Sequence, residues 1–328
     1  MGFSITGGVS ITGGVSLTPP AGSPSPTPGG GGFQGSNYGY TSGGYDPILS
    51  YHDIIDKFPF ASDSNATDVG DLTQATNGNA GQSSSVSGYS SGGGPGGIDT
   101  IGKFLFATDG NATDVGDLTV ARRYGAGQSS SASAYTSGGG APAGAPATNN
   151  TIDKFPFSSD GNATDVGDLS VARFYTAGQT SSANGYTSSG SDPGLSPGNK
   201  NIIDKFPFAS DSNATDVGDV TLARLGPAGQ SSTVSGYTSG GNTTLGAVNT
   251  IDKFPFASDG NATDVGDLTI TTYYNTGQSS TASGYNSAGW NESSLSNVIE
   301  KFPFASDANS TDVGDLTVSR FGPAGQQY

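Results

Sequence analysis

Six copies of one short acidic run hold most of the side chains in this sequence that could do chemistry. In the second copy, the run from Asp109 to Asp117 has the sequence D-G-N-A-T-D-V-G-D, with side-chain oxygens at positions 1, 3, 5 and 9. That spacing suits a hard cation such as Ca2+, with a backbone carbonyl at position 7 completing the set. The predicted metal ligands at positions 1, 3 and 9 of the six copies are Asp63, Asn65, Asp71, Asp109, Asn111, Asp117, Asp160, Asn162, Asp168, Asp211, Asn213, Asp219, Asp259, Asn261, Asp267, Asp307, Asn309 and Asp315.

A structural interpretation of the same run is also open. Asp and Asn side chains close turns by accepting hydrogen bonds from their own backbone. Asp side chains can also pair with Lys or Arg on a neighbouring repeat. On this interpretation the acidic run holds the repeats together, and the sequence alone does not decide between the two.

The acidic run belongs to a longer repeat that begins with K-F-P-F, or with K-F-L-F in the second copy. The copies begin at Lys57, Lys103, Lys154, Lys205, Lys253 and Lys301, in steps of 46, 51, 51, 48 and 48 residues. A period near 50 is typical of solenoids and propellers, in which each repeat is one supersecondary unit. The sequence of each unit predicts four short strands. In the second unit these are Ala80 to Ser83, Gly88 to Gly93, Ile101 to Phe106 and Asp117 to Arg122. We expect Pro59 and its equivalents at a strand end or in an outer strand, because proline cannot donate to a central ladder.

The two ends of the repeat region predict a closed ring. The region opens at Tyr38 with the second strand of a unit, and residues 323–328 supply only a first strand. A blade shared between the two ends would close the ring and remove two exposed sheet edges. We therefore predict an all-β fold, a six-bladed propeller over residues 38–328 with one blade split between the termini.

Two segments precede the predicted propeller. Residues 1–17 contain the hexad S-I-T-G-G-V twice, and their β-branched residues favour extended structure. We predict an anchor that becomes ordered by pairing with copies of itself, giving a homo-oligomer, or with another protein. A disordered tail is the alternative. Residues 18–37 are rich in Pro and then in Gly, and predict a linker that is first stiff and then flexible.

Composition argues against several classes of function. The net charge is -16 and the acidic residues are spread through the repeats, which argues against a nucleic-acid partner. The chain has no Cys and one His, so we expect neither a thiol nucleophile nor a multi-His metal centre. No apolar run is long enough to predict membrane insertion. The N-terminus lacks the features of a signal peptide, so we expect the protein to be made in a cytoplasm.

Comparison of the six copies locates the positions that differ. The connections between the second and third strands and between the fourth strand and the next blade vary, and in an antiparallel blade both emerge on one face. Aromatic side chains on such loops suit ligand contact, including stacking on sugar rings. The candidate contact residues are Tyr45, His52, Tyr124, Tyr175, Tyr273, Tyr274 and Trp290. Simple tolerance of substitution in loops is the alternative explanation.

The repeats resemble those of kelch-type propellers over residues 38–328. The shared features are the period, an aromatic before a Gly-Gly pair (Tyr135 before Gly138 and Gly139) and an Arg that closes the unit, such as Arg122. The family's usual Trp before the fourth strand is missing. Some kelch-like propellers are copper oxidases, but these need a Cys-linked Tyr and two His ligands, which this sequence does not contain. The acids also recur in every copy and give no unique catalytic pair, so we predict that the protein is not an enzyme.

The acidic run is similar to the cation loop of FG-GAP propeller repeats, D-x-N-x-D-G-x-x-D-L-x-V. This resemblance implies Ca2+ as the bound ion. The run departs from the pattern at position 5, where Thr113 replaces Asp and removes a charge. It departs again at position 6, where Asp114 replaces the Gly that a tight turn favours.

The sequences of the repeats and of the hexads are similar to those of virion structural proteins of tailed phages, especially marine ones. This resemblance implies a location in the virion, with residues 2–17 attached to other virion proteins. The leading hypothesis is a fibre, appendage or decoration protein whose propeller head contacts a host-surface glycan. The alternative is a free-standing carbohydrate- or calcium-binding propeller, which would have no use for residues 2–17.

Overall fold

The computed structural model describes residues 34–48, 50–140, 148–194 and 198–328. The chain divides into two compact units, Met1–Gly30 and Gly31–Tyr328, and every described residue belongs to the second. The predicted anchor over residues 1–17 and residues 18–33 of the predicted linker lie outside the described residues.

The described chain folds as short antiparallel strands. No helix that could span a membrane occurs in the part of the chain that the structure describes. In chain order the strands are β1 (Tyr38–Ser42), β2 (Tyr45–Asp46), β3 (Ser50–Pro59), β4 (Thr67–Thr76), β5 (Ala80–Ser83), β6 (Ser87–Ser91), β7 (Ile98–Leu105), β8 (Thr113–Arg122), β9 (Ala126–Ser129), β10 (Ser133–Ser137), β11 (Thr151–Pro156), β12 (Thr164–Asp168), β13 (Ala177–Thr180), β14 (Asn184–Ser188), β15 (Ile202–Pro207), β16 (Thr215–Asp219), β17 (Ala228–Ser231), β18 (Ser235–Ser239), β19 (Asn242–Thr243), β20 (Gly246–Ala247), β21 (Thr250–Pro255), β22 (Thr263–Asp267), β23 (Thr276–Ser279), β24 (Ser283–Ser287), β25 (Val298–Pro303), β26 (Thr311–Asp315) and β27 (Ala324–Gln327).

These strands form six blades around a central axis, which confirms the predicted six-bladed propeller. From the axis outward, blade 1 is β27, β1, β3 and β4, blade 2 is β5 to β8, blade 3 is β9 to β12, blade 4 is β13 to β16, blade 5 is β17, β18, β21 and β22, and blade 6 is β23 to β26. The short strand β2 and the hairpin of β19 and β20 lie in the connections between second and third strands.

The ring closes through a blade that both termini build. In blade 1 the C-terminal strand β27 pairs with β1, with Tyr40 opposite Gln326 and Thr41 opposite Gly325. The innermost strands contact one another all the way around the axis, including β27 with β5. The predicted split blade is therefore confirmed, and β27 supplies the hydrogen-bonding partner on the inner side of β1.

Glycine in the middle of each innermost strand allows the blades to meet at the axis. A Cβ atom on Gly127 would lie 2.1 Å from the carbonyl oxygen of Gly81 in the preceding blade. No side chain fits at that distance, and the same contact recurs at all six interfaces. The next residue, Gln in every copy, is buried and reaches the following blade. Gln128 Nε2, for example, donates to the carbonyl of Tyr186 at 2.9 Å.

The space between blades is filled by the same apolar set in each repeat. Between blades 2 and 3 it comprises Tyr89, Ile101 and Leu118 from one blade and Phe155 from the next. The ring centroids of Tyr89 and Phe155 lie 5.6 Å apart. Burial of a large apolar side chain contributes roughly 1.5–3 kcal/mol, so these interfaces provide much of the stability of a chain that is only 32 % hydrophobic.

Four interfaces also contain a buried ion pair between an Arg that ends one repeat and an Asp in the next blade. The Arg173 Nη1 to Asp204 Oδ2 distance is 2.7 Å, and both side chains are fully buried. The other pairs are Arg122–Asp153, Arg224–Asp252 and Arg320–Asp56. The remaining two interfaces differ at both positions: Thr76 and Gly102 occupy them between blades 1 and 2, and Thr272 and Glu300 occupy them between blades 5 and 6.

Two strand predictions need correction and one is confirmed. The fourth strand starts at Thr113, not at Asp117, so the second half of the acidic run is strand and not loop. In blades 3 to 6 the fourth strand also ends early, as at Asp168. The fourth strands of blades 1 and 2 are longer because the third strands with which they pair begin earlier, at Ser50 and Ile98. Pro59 ends its strand, as predicted.

The chain contacts the propeller before its first strand begins at Tyr38. Gln34 Nε2 donates to the carbonyl of Ser231 at 2.8 Å, and Gly35 N donates to the carbonyl of Ser279, also at 2.8 Å. Ser231 and Ser279 end the innermost strands of blades 5 and 6. Residues 34–37, which we assigned to the linker, therefore contact the propeller close to its axis.

Candidate functional site

The meander within each blade sorts its connections onto two faces. The hairpin between the first two strands and the acidic connection between the third and fourth lie at one end of the blade, here called the acidic face. The other two connections lie at the opposite end, here called the aromatic face. Eighteen Asp residues of the acidic runs and six Lys of the K-F-x-F motifs lie at or near the acidic face, so most of the net charge is there.

On the acidic face, position 1 of each acidic run pairs with the Lys of the preceding blade. Lys103 Nζ lies 2.8 Å from Asp160 Oδ1, and this hydrogen bond to Asp160 is the largest of the effects that raise the pKa of Lys103. The six pairs are Lys57–Asp109, Lys103–Asp160, Lys154–Asp211, Lys205–Asp259, Lys253–Asp307 and Lys301–Asp63. An ammonium group thus neutralises each carboxylate at position 1.

Position 3 of each run also reaches the preceding blade. Asn162 Oδ1 accepts a hydrogen bond from the backbone N–H of Asp117 at 3.1 Å, and the other five copies make the same bond. Asp114, at position 6, accepts from the N–H of Gly116 and closes its own turn. A Cβ on Gly116 would lie 2.3 Å from the carbonyl oxygen of Gly161, which explains the Gly at position 8.

These contacts separate the predicted metal ligands of any one run. Asn111 and Asp117 are joined by extended chain and lie up to roughly 20 Å apart, whereas Asn111 contacts Asp71 of the preceding blade. Across the described ranges there is no group of three or more His, Cys, Asp or Glu side chains able to hold a metal ion. The observed bonds are those of the structural interpretation, and Ca2+ binding stays a prediction.

On the aromatic face, six backbone groups form a hydrogen-bonded ring around the axis. Each residue of the ring donates its N–H to the carbonyl of the equivalent residue in the preceding blade, for example Tyr175 to Tyr124 at 2.8 Å. The members are Gly78, Tyr124, Tyr175, Gly226, Tyr274 and Gly322, and all have φ between 56° and 67°. The backbone is therefore the same in all six blades, while the side chain is Gly in three and Tyr in three.

The three tyrosines of this ring, the tyrosine cluster, stack over the end of the central channel. Their ring centroids lie 4.3 Å apart for Tyr124 and Tyr175 and 4.6 Å apart for Tyr175 and Tyr274. They line a cavity of about 60 Å³ at the mouth of the channel. Burial raises the pKa of Tyr124 to about 12 and also raises that of Tyr274, so both hydroxyls are neutral at physiological pH.

A second group of rings, the aromatic patch, comprises Tyr45, Tyr273, Trp290 and Phe321. Tyr273 and Trp290 exchange two backbone hydrogen bonds of 3.0 and 2.8 Å, and Phe321 and Tyr45 do the same at 3.1 and 2.9 Å. Residues paired in this way place their side chains on the same face. The equivalent pairs at the other four interfaces contain at most one aromatic residue: Asn77 with Gly94, Arg123 with Gly140, Phe174 with Ser191, and Leu225 with Asn242.

Phe321 joins the patch to the tyrosine cluster. Its ring centroid lies 5.4 Å from Tyr45, 5.6 Å from Tyr274 and 6.1 Å from Trp290. Tyr273 contacts Tyr274 at 4.7 Å. All four rings of the patch are half-buried, so each presents part of its surface to solvent.

Six of the seven predicted contact residues lie in this single network of rings: Tyr45, Tyr124, Tyr175, Tyr273, Tyr274 and Trp290. His52 does not, because it lies in β3 with its Nε2 atom buried. Burial, followed by the nearby Arg320, lowers its pKa. Whether the seven residues contact a ligand stays a prediction.

Sequence reasoning omitted Tyr51, Phe174 and Phe321, which also contact the network. Phe174 and Phe321 occupy the same repeat position as Tyr273, so alignment of the copies contained the signal for both. No protein-family model matches the chain, and no curated protein matches it either.

Proposed function

We propose that the protein is an adhesive structural component of a phage virion, a fibre, appendage or decoration protein, whose propeller head binds carbohydrate through its aromatic face. The similarity of the repeats and hexads to virion proteins of tailed phages supports the location. The geometry of the aromatic face supports the binding role.

One observation carries the binding role: three tyrosines occupy left-handed backbone positions that glycine occupies in the other three blades. A residue with a Cβ disfavours this conformation by about 1–2 kcal/mol. Because the glycine blades form the same backbone ring, the tyrosine rings are not needed to build it. Strain without a folding purpose is typical of functional positions.

The chemistry of the face suits a sugar. Partly exposed aromatic rings offer flat apolar surfaces against which the C–H faces of a pyranose can stack. Backbone carbonyls and side chains such as Asn291 and Asn242 lie in the adjoining connections and supply hydrogen-bonding groups. A network of aromatic rings on a rigid ring of blades is therefore a suitable carbohydrate platform.

The direction of the chain supports display of this face. Gln34 and Gly35 contact the ends of the innermost strands on the acidic face. The first described residues thus lie on the acidic side, opposite the aromatic face. An attachment on the acidic side would leave the aromatic face directed away from the particle.

Binding without catalysis fits the positions of the carboxylates. Each acidic run repeats the same contacts, with position 1 on a Lys and position 6 on its own turn. A hydrolase needs two carboxylates that differ in environment and flank one bond. The carboxylates of the acidic runs have the same environment in all six copies and provide no such pair. We therefore propose a binding head and not an enzyme.

A printed array of neutral, anionic and amine-bearing glycans tests the binding role. The full chain is compared with Tyr175→Gly, which keeps the ring backbone, and with Lys154→Ala on the acidic face as control. We expect the full chain and the control to bind the same glycans, and Tyr175→Gly to bind them more weakly. No binding by the full chain, or equal binding by all three, would overturn the proposal.

Light scattering separates the virion component from a free-standing module. The full chain is compared with a chain that starts at Gln34, the first described residue, which contacts the propeller. We expect the full chain to form oligomers and the shorter chain to be monomeric. If the full chain is monomeric and does not associate with particle proteins, the free-standing module is the better description.

A further inference from the structure

We propose that the half of the aromatic patch between blades 5 and 6 is a subsite for a protonated amine, and that the carbohydrate it takes is an amino sugar with a free amino group. The inference rests on the proposed function, because it names the class of glycan that the same face binds. Three residues form the subsite: Tyr273, Trp290 and Glu292.

The backbone places the Tyr273 and Trp290 side chains on the same face. Tyr273 and Trp290 are partners in an antiparallel bridge between the two blades, so their side chains emerge side by side. Neither is fully buried. The faces of Trp and Tyr rings attract cations, Trp most strongly.

Glu292 adds a carboxylate close to Tyr273. Its Oε1 atom accepts a hydrogen bond from Ala247 N at 2.7 Å, which holds the side chain against blade 5. Its Oε2 atom makes no hydrogen bond to any described residue. Burial, and next the negative charge of Glu292, raise the pKa of Tyr273, which is consistent with a carboxylate close to that ring.

The loop that carries Trp290 and Glu292 is held in one conformation. Asn291 Oδ1 accepts from the N–H groups of Ser293 and Ser294 at 3.1 and 2.7 Å, and Asn291 N donates to the carbonyl of Ser294. Glu292 itself has a φ of 71°, which is uncommon for a residue other than Gly, Asn or Asp. The position of its carboxylate is therefore set before a ligand arrives.

Charge around the patch favours a cation. The described connections of blades 6 and 1 on this face carry Glu292 and Asp46, and their one basic residue, Arg320, is buried in its ion pair with Asp56. Elsewhere on the face the chain places its own cation on a ring: the guanidinium of Arg123 lies 5.2 Å from the centroid of Tyr124. The patch has the rings and a carboxylate but no such cation, so a ligand ammonium complements it.

Three β1,4-linked tetrasaccharides of equal length test the proposal, built from glucosamine, N-acetylglucosamine or glucose. They differ only at carbon 2, and only the first is cationic at neutral pH. Affinities are measured by calorimetry at physiological salt, which screens long-range attraction to the acidic protein. The proteins are the full chain, Glu292→Gln, Trp290→Ala and Asp192→Asn.

Asp192→Asn is the matched control. Asp192 lies in the equivalent connection of blade 4, and its Oδ1 accepts from a loop N–H, that of Gly194, at 3.0 Å. It has no aromatic bridge pair beside it, and its loss changes the net charge by the same amount as Glu292→Gln. Any preference for the amine that arises from overall charge is therefore equal in the two variants.

We expect the full chain to bind the glucosamine tetrasaccharide about tenfold more tightly than the other two. Glu292→Gln should remove that preference, Asp192→Asn should keep it, and Trp290→Ala should weaken binding of the amine most. Equal or tighter binding of the neutral sugars, or a preference unchanged in Glu292→Gln, would overturn the amine subsite while the carbohydrate role stands. Failure of every glycan on the array and of all three tetrasaccharides would overturn both.

Discussion

The acidic and aromatic faces are built from the same six repeats, but only on the acidic face do the side chains recur in every blade. On the acidic face both backbone and side chains recur, and every blade makes the same Lys–Asp pair and the same Asn-to-backbone bond. On the aromatic face the backbone ring recurs but the side chains do not. Glycine stands at Gly78, Gly226 and Gly322, and tyrosine stands at the other three positions.

The difference separates positions needed for closing the ring from positions available for binding. A side chain present in all six copies and bonded across an interface is explained by the ring itself. A side chain that changes while the backbone stays constant is not needed for closing the ring and is available for contact with a partner. Substitutions on the two faces should therefore differ in their effects on stability and on binding.

Removal of a repeated interface contact should have the largest effect on stability. We expect Arg173→Ala to lower the free energy of unfolding by about 3–5 kcal/mol, because it leaves Asp204 buried without a cation. Arg123→Ala on the aromatic face is the control and should change it by about 1 kcal/mol or less. Denaturant titration measures both. Equal midpoints for the two variants would contradict the division.

The interface between blades 1 and 2 suggests a second substitution that should restore part of the lost stability. Between blades 1 and 2, Thr76 and Gly102 replace the Arg and the Asp together. The double variant Arg173→Thr with Asp204→Gly should therefore be more stable than Arg173→Thr alone, since the unpaired carboxylate is gone. If the double variant is the less stable of the two, the buried carboxylate is not the source of the cost.

Removal of a non-repeated ring should affect binding more than stability. Phe321→Ala removes the ring on which Tyr45, Tyr274 and Trp290 pack, and we expect a loss of about 2 kcal/mol in glycan affinity. The control is Leu225→Ala, at the same position of blade 4, with a half-buried side chain. Calorimetry with an array-selected glycan compares the two. Equal affinity losses would place the ligand away from the patch.

Glu300 departs from the repeat inside an interface and should make stability depend on pH. It occupies the position of the Asp in the buried ion pairs, at an interface where Thr272 replaces the Arg, and its Oε1 accepts from Thr269 N at 2.6 Å and from the Thr269 hydroxyl. Burial raises its pKa, and the hydrogen bonds from Thr269, Ser310 and Asn286 oppose the shift. The folded state therefore favours the protonated acid.

The sign of the pH effect follows from that direction. The contribution of the protonated acid is complete below the unfolded pKa of about 4.3 and is lost as pH rises through the folded pKa. Glu300→Gln lacks this titration, so we expect it to gain stability relative to the natural protein by up to about 1.4 kcal/mol per pH unit within that window. Parallel stability profiles for the two proteins would show that Glu300 does not titrate on unfolding.

Removal of a single Lys–Asp pair on the acidic face should have the smallest effect on stability. The Lys154–Asp211 contact is 2.9 Å long, but the Asp211 side chain is 57 % exposed. Solvent screens such a pair, so Lys154→Ala should cost less than about 1 kcal/mol, and the loss should shrink at high salt. A loss of several kcal/mol that is independent of salt would mean that the acidic face does more than assist closure.

The overall fold could be predicted because repetition multiplies a weak local signal. The six copies of the motif predicted the number of blades, and the unmatched ends, Tyr38 and residues 323–328, indicated the shared blade. The run from Asp109 to Asp117 was harder, because turn-forming and metal-binding chains use the same residue types. The strand start at Thr113 and the partner Lys57 decide how its oxygens are used, and both depend on the neighbouring blade.

The contacts that cross between blades were the part that the sequence did not supply. Arg122 was recognised as the end of a unit, but its partner Asp153 lies in the next blade. Phe321 was not recognised as a site residue, since its importance comes from Tyr45 at the other end of the chain. Both are long-range pairings that no local pattern encodes.

A hydrogen-exchange footprint of the full chain, with and without its array-selected glycan, would show which face binds. We expect slower exchange in the peptides that contain Tyr45, Tyr273, Trp290 and Phe321, and no change in the acidic run from Asp109 to Asp117. Protection of the acidic runs, with the aromatic face unchanged, would instead assign binding to the repeated face and overturn the proposed binding role.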